Sequence, residues 1–271
     1  MTPTSPIVLA CEDVVHVYVT ASGGVHALRG VTSSFNQGTV SVVIGASGCG
    51  QSTMLRLLAC MERPTAGEIW LNGMATAHMN DVERRSLAGE HIGYIFQRPS
   101  LNLFSYLTVK EHLEFAAQCA GRSKRDAVTA LRKAQLSDLA SRRPGALDAG
   151  ERQRLAVSMA VTSARSLVIA DEPSAELDAE GTESLTELIR TSAADGQTFV
   201  IATHDPPIMA IAHEILVMKE GCLAQIGPPN ALRYVVSATG GLYLHDDAQK
   251  LFPTGRATAQ IDSTGVKFTP S

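Results

Sequence analysis

The chain has 271 residues, 45% of them hydrophobic and 18% charged, and its 23 Lys and Arg against 27 Asp and Glu give a formal charge of −4. That balance excludes a broad basic face for nucleic acid as the main business, and the length suits one large domain or a domain with a subdomain. No window approaches the roughly 18 apolar residues of a membrane-spanning helix, and the start, MTPTSPIVLACEDVV, lacks the basic and long apolar regions of a secretory signal. Cys11, Cys49, Cys60, Cys119 and Cys222 show neither CxxC spacing nor an even count, so reduced thiols in a cytoplasmic protein are expected.

Along the chain, short runs rich in Val and Ile alternate with helical patterns, which predicts a mostly parallel sheet with helices around it. Residues 40–44 predict a buried strand. Residues 52–61 predict a helix that stops near Arg63-Pro64, where proline forbids continuation. A second strand is expected over 91–96. From about 99 to 144 the segments LTVKEHLEFAAQ and SKRDAVTALRKA interrupt the alternation, which predicts a helical insert between two sheet strands. The alternation resumes with a helix over 151–163, a strand over 167–170, a helix over 179–194 and a strand over 199–203. Residues 214–218 and 222–226, flanking Lys219-Glu220-Gly221, predict an antiparallel hairpin. After Gly227 comes a tail, DSTGVKFTPS at its end, whose last dozen residues are expected to be mobile.

The most informative segment is GASGCGQST, which comprises Gly45, Ala46, Ser47, Gly48, Cys49, Gly50, Gln51, Ser52 and Thr53. It lies directly after a predicted strand and directly before a predicted helix, the context of a phosphate-binding loop. Glycines let backbone N–H groups turn inward around phosphate oxygens, and the helix N-terminus adds partial positive charge. The Ser52 hydroxyl suits a hard cation such as Mg²⁺. The pattern GxxxxGK[ST] is met except at the lysine, where Gln51 stands. A charge-assisted hydrogen bond is worth roughly 1.5–3 kcal/mol against about 1 for a neutral one, so weaker nucleotide binding and slower transfer are expected.

Other polar groups follow apolar strands in the same way. SLVIA ends at Asp171-Glu172, TFVIAT at His204-Asp205 and HIGYIF at Gln97. One acid can hold Mg²⁺ and the next can orient or deprotonate a water, while a histidine at a strand end can meet a γ-phosphate. Taken singly, each is as readily a strand boundary or a surface residue. One parallel sheet would bring all of them to one edge.

With these residues in hand, the chain resembles the ATP-binding subunits of ABC transporters over about residues 7–227, in the class serving lipoprotein release, macrolide export and FtsE-type division machinery. The stretches that carry the resemblance are ALRGVTSSF, the phosphate loop, RPTAGEIWLNG, IGYIFQRPSLNLFSYLTVKEHL, GERQRLAVSMAV and LVIADEPSAELD. It implies a P-loop NTPase (ABC ATPase) α/β fold with a mostly parallel core sheet, an antiparallel β subdomain and an inserted α-helical subdomain at about 99–165. Residues 1–227 would form the ATP-binding domain and 228–271 a C-terminal extension. By family pattern Tyr18 is similar to the aromatic that stacks on adenine, and Gln97 to the Q-loop residue. Asp171 is similar to the Walker B aspartate, Glu172 to the catalytic glutamate, Ser174 to Asp178 to the D-loop and His204 to the switch histidine. The implied ligands are ATP and Mg²⁺, the ion held by Ser52, Gln97 and Asp171.

The family signature LSGGQ or LSGGE reads here as Leu147-Asp148-Ala149-Gly150-Glu151. In the family it covers ATP held by a partner subunit. Asp148 would set a carboxylate where a hydroxyl belongs, and two unit charges about 4 Å apart interact by about 4 kcal/mol at an effective dielectric of 20. Ala149 adds a methyl where close backbone approach is expected. Gln51 weakens the chain's own site and Asp148 the partner's, so a different ATP-binding chain is the expected partner, because each site then carries one defect. The implied role is an energy-coupling subunit, peripheral on the inner face of the membrane through a separate permease docked near Leu101, Leu103, Phe104, Tyr106 and Leu107. The alternatives are a catalytically impaired partner that regulates or scaffolds an active sister, and a soluble ABC ATPase such as an iron–sulfur assembly protein.

Overall fold

The computed structural model describes residues 6–20 and 23–235, together with the backbone of 257–262 and 265–270. The chain opens with two long antiparallel strands, β1 (Ile7–Thr20) and β2 (Gly23–Asn36), followed by β3 (Val40–Gly45) and helix α1 (Gln51–Leu58). Next come β4 (Ala66–Leu71), β5 (Met74–Ala75), α2 (Asp81–His91) and β6 (Ile92–Ile95). Helices α3 (Val109–Cys119), α4 (Lys124–Lys133) and α5 (Ala149–Ser163) intervene before β7 (Leu167–Asp171). The order then runs α6 (Ala179–Ala194), β8 (Thr198–Ala202), α7 (Pro206–Ala210), β9 (Glu214–Lys219), β10 (Cys222–Gly227) and β11 (Arg233–Tyr234). Two further strands, β12 (Ala257–Asp262) and β13 (Gly265–Pro270), pair antiparallel with each other.

The central sheet has the order β11-β10-β9-β3-β8-β7-β6, and its β9, β3, β8, β7 and β6 run parallel. The smaller antiparallel sheet has the order β2-β1-β4-β5. Burial of both faces explains why the central strands read as unbroken apolar runs rather than alternating ones. In β8, Val200 and Ala202 join the core formed with β1, β2 and α1, while Phe199 and Ile201 join the core beneath α3, α5 and α6. Alternate residues of one strand thus serve two cores. Phe35 and Phe199 are fully buried, each worth about 1.5–3 kcal/mol relative to exposure.

Several boundaries differ from the sequence reading. Helix α1 ends at Leu58, well before Pro64. Cys60 takes a left-handed φ of 56°, with its N–H on Leu57 O and the Met61 N–H on Arg56 O. That is a Schellman turn, so backbone geometry stops the helix and proline is not the cause. The strand expected over 91–96 is shorter because His91 closes α2, a helix announced by Asn80 and Glu83, which form a reciprocal capping box. Strands β1, β2 and β4 are not separately located by the apolar runs. The predicted hairpin is present as β9 and β10, turned by Glu220 and Gly221 with φ of 51° and 80°, the two positive values a tight hairpin turn needs. The end of the tail, expected to be mobile, is instead paired as β12 and β13.

Candidate functional site

The register of the parallel strands fixes which polar groups meet. Val43 pairs with Ala202, Asp171 with Ala202, and Ile95 with Ala170, so β3, β8, β7 and β6 end together. Beyond those ends lie the 45–50 loop, His204, Glu172 and Gln97, at the edge where open α/β sheets bind ligands.

The glycine loop is tightly wedged. A Cβ on Gly45 would stand 2.5 Å from both Cys49 Sγ and Met218 O, and one on Gly50 would stand 2.5 Å from Ala27 O. Gly50 also has a φ of 106°, so it has both steric and conformational reasons to be glycine. Helix α1 begins right after it with no side-chain cap and no acidic residue in its first turn. The other long helices differ. Asn80, Thr108, Asp148 and Asp178 cap α2, α3, α5 and α6, and at α4 the Asp126 carboxylate accepts the Ser123 N–H at 2.8 Å. The first intrahelical bond of α1 is Met54 N–H to Gly50 O at 2.8 Å, which leaves the N–H groups of Gln51, Ser52 and Thr53 without helical acceptors. Such an end suits an anion. The Gln51 amide turns away from that role, donating from Nε2 to Val43 O at 3.1 Å. Ser52 is exposed, whereas Thr53 is buried with its Oγ1 3.4 Å from the Tyr18 hydroxyl.

Tyr18 sits in a network the sequence did not suggest. Its hydroxyl donates to Glu62 Oε2 and accepts from Arg56 Nη2, each at 2.8 Å. Arg56 Nε lies 2.8 Å from Glu62 Oε1, and His16 packs edge-on against the Tyr18 ring at 4.6 Å. Burial would lower the Arg56 pKa, but Tyr18 and Glu62 outweigh it and hold the guanidinium above its ordinary value. A cleft of about 510 Å³ borders the glycine loop and His204, yet it runs toward Met218 and Lys219 and is not lined by Tyr18, Gln51 or Ser52.

At the end of β7, Asp171 is half-buried and Glu172 takes a left-handed φ of 46° while its N–H bonds Ala202 O at 2.8 Å. Among the described residues Glu172 shares this conformation with five other non-glycine positions, Cys60 and Glu220 among them. His204 Nε2 lies 3.8 Å from Glu172 Oε1. Burial, and then the nearby Asp171 carboxylate, push the Tyr94 phenol well above its usual pKa. Gln97 is exposed just past β6. No cluster of three or more His, Cys, Asp or Glu able to hold a metal occurs among the described residues. A hydroxyl and a carboxylate at one sheet edge nevertheless form the hard oxygen donor set that Mg²⁺ takes when a nucleotide supplies the remaining oxygens.

The 147–151 segment lies elsewhere. Asp148 Oδ1 accepts the Glu151 N–H at 2.7 Å, and Glu151 Oε2 accepts the Asp148 N–H at 2.8 Å. This capping box fills the N-terminus of α5 with the chain's own carboxylate. The segment borders a cleft of about 420 Å³ whose lining includes Gly150, Arg154, Glu176, Asp178 and Glu180. Leu147 is buried in the core and Ala149 begins the helix.

In the inserted region, Leu101, Phe104 and Tyr106 before α3 and Phe115 on α3 are exposed. Phe104 is ringed by Tyr106, His112 and Phe115 at 5.6–6.0 Å, and Leu103 and Leu107 are half-buried. Fully buried His112 holds this loop, accepting the Phe104 N–H on Nε2 at 2.9 Å with Nδ1 2.7 Å from Thr108 O. That arrangement requires the neutral ring, and burial pushes its pKa down accordingly.

The ABC transporter family model matches residues 28–175. The macrolide export ATP-binding/permease protein MacB of Photorhabdus laumondii is 33% identical over 217 residues, which is 79% of this chain and 33% of that protein. The chain therefore spans about a third of the macrolide-export relatives it matches. The lipoprotein-releasing system ATP-binding protein LolD of Saccharophagus degradans is 32% identical over 225 residues, covering 81% of this chain and 98% of that one. Among solved structures, the dimeric post-hydrolysis state of the ATP-binding cassette MJ0796 bound to ADP and Pi superposes with a TM-score of 0.74 at 27% identity, over 81% of this chain and 98% of the other. The cbiO1 structure from Clostridium perfringens, part of the ABC transporter complex cbiONQ, gives 0.72 at 26% identity, over 83% and 89%.

Proposed function

The chain belongs to the ABC transporter family, and on that premise we propose that it is an ATP-binding subunit whose nucleotide site is formed by residues 45–53, with turnover reduced by Gln51 and dependent on a partner. The observation that carries this reading is the uncapped N-terminus of α1 behind a wedged glycine loop, at the sheet edge that also holds Glu172 and His204. Backbone N–H groups there receive phosphate oxygens, and the Tyr18 ring receives adenine. Ser52, Asp171 and Gln97 would hold Mg²⁺, which would supply charge neutralisation to the phosphates. Glu172 takes a proton from the attacking water on its carboxylate, and His204 steadies that side of the site. Residues 1–227 act as the ATP-binding domain, with the helical part at about 99–165 and an extension over 228–271.

The partner is a different ATP-binding chain. Asp148 already occupies the helix end that would cover the partner's phosphate, so two copies of this chain would carry a defect in both sites. No helix among the described residues is long and apolar enough to cross a membrane. In the proposed arrangement coupling passes to a separate permease through the exposed aromatics Phe104 and Tyr106, with Leu101, Leu103 and Leu107 beside them, and that docking would set the chain on the inner face of the membrane. Purification of the complex from native membranes is expected to give one copy of this chain per copy of a second ATP-binding chain. Two copies of this chain with no second ATPase would contradict the pairing.

A second reading is favoured by the Gln51 bond to Val43 O, which commits the side chain to the protein rather than to phosphate. In it the chain binds nucleotide without turnover and gates its sister. A Glu172→Gln variant in the purified complex separates the two. Turnover falls if this chain's site hydrolyses ATP and stays constant if it only gates.

A further inference from the structure

The cluster behind Tyr18 has no part in the phosphate chemistry, yet it is built from three separate places in the chain. His16 and Tyr18 come from β1, Arg56 from α1, and Glu62 from the turn after α1. Left to itself, the ring would have freedom. It stands at the outer end of a hairpin strand, and the next residue, Val19, is 92% exposed. The hydroxyl is held on both sides, donating to Glu62 and accepting from Arg56, so it has no proton left to offer a ligand. Glu62 in turn takes Arg56 on Oε1, while its Oε2, which receives the Tyr18 proton, has His16 Nε2 3.4 Å away. The Schellman turn at Cys60 ends the helix and redirects the chain just before Glu62. The Thr53 hydroxyl, 3.4 Å from that of Tyr18, ties the network to the end of the glycine loop.

We propose that Glu62, acting through Arg56 and the Tyr18 hydroxyl, is the positioning residue for the nucleoside end of the site. It fixes the ring so that a base stacks on a face already in place. This rests on the ATP-binding reading of the 45–53 loop. Immobilising one side chain on binding costs enough to weaken a ligand about three- to tenfold, and Glu62 removes that cost before the ligand arrives. The effect belongs to the base alone, since the phosphates meet the loop and the start of α1.

Equilibrium titration of the full chain with Mg-ATP and with magnesium tripolyphosphate tests this, in the native sequence and in the Gln51→Lys background, with melting curves to check folding. Glu62→Ala is expected to weaken ATP about three- to tenfold and leave tripolyphosphate unchanged. Glu62→Gln keeps a single acceptor oxygen, enough for Tyr18 or Arg56 but not for both of the positions Glu62 serves, and is expected to recover only part of the loss. In a Tyr18→Ala background, Glu62→Ala is expected to cost nothing further. A loss shared equally by ATP and tripolyphosphate, a loss that persists without Tyr18, or no loss at all would overturn the proposal. If Tyr18→Ala weakens ATP while Glu62→Ala is silent, only this inference fails. If neither ligand binds in either background, the ATP-binding reading fails with it.

Discussion

The N-termini of α1 and α5 are built in opposite ways. The first follows Gly50, has no side-chain cap and has no carboxylate in its opening turn. The second is closed by Asp148 and Glu151, which satisfy each other's backbone N–H groups. Helix ends leave their first N–H groups to be satisfied by something, and a carboxylate already held at such an end opposes an external anion by like charge. Among the described helices of eight residues or more, only α1 lacks a side chain at its start, and it is the one behind the wedged loop. On the proposed reading, the contrast is between an open phosphate site on the chain's own loop and an occupied helix end offered to a partner.

The harshest way to break the contrast is at the loop. Gly50→Ala places a Cβ 2.5 Å from Ala27 O at a φ of 106°. The expected cost is about 3 kcal/mol or more, read as a melting temperature several degrees lower and as lost ATP binding. At α5 the effect is smaller and separable. Asp148→Ala removes the cap and should cost about 1 kcal/mol in urea denaturation, while Asp148→Ser keeps a cap and should change stability by only a few tenths. A full loss in Asp148→Ser would mean that the charge, and not the cap, stabilises the helix.

The smallest effect concerns the capped helices of the insert. Glu111 is held below its ordinary value of 4.5 by the Thr108 N–H and then by the Thr108 hydroxyl. A carboxylate with a depressed pKa stabilises the fold above its unfolded value, and that contribution disappears as pH falls through the lowered one. Glu111→Gln should therefore be less stable than the native chain by a constant amount above the unfolded value, with the gap closing below it. A gap independent of pH would show that Glu111 acts through packing. No such titration is available to the first turn of α1, which has no acid.

Sequence patterns reached the glycine loop and the ends of β6, β7 and β8 because each is an apolar run that stops at polar residues, and parallel pairing then aligns those stops. They also marked residues 148–151 as unusual. The capping role of Asp148 was there to read, since Asp148 and Glu151 have the same three-residue spacing as Thr108 and Glu111. Arg56, Glu62 and His112 were out of reach for another reason. Arg56 and Glu62 meet Tyr18 only after β1 folds beside α1, across 38 and 44 residues of chain. His112 lies on the buried side of an amphipathic helix, where a histidine looks like an interruption until its two ring nitrogens find Phe104 N–H and Thr108 O. Helix α1 was overrun because its end depends on a left-handed Cys60, a conformation that residue type does not advertise.

The central claim is that the isolated chain binds nucleotide at α1 and leaves α5 out of it. Calorimetric titration of Mg-ATP into the native chain, Gln51→Lys and Asp148→Ser tests it most directly. Restoring a cation at 51 replaces a neutral donor with a charged one, a gain of about 1 kcal/mol or slightly more, so Gln51→Lys should bind about five- to tenfold tighter than the native chain. Asp148→Ser should match the native chain, because on the proposed reading its helix end faces a partner's nucleotide. Tighter binding in Asp148→Ser, or no gain in Gln51→Lys, would contradict the account.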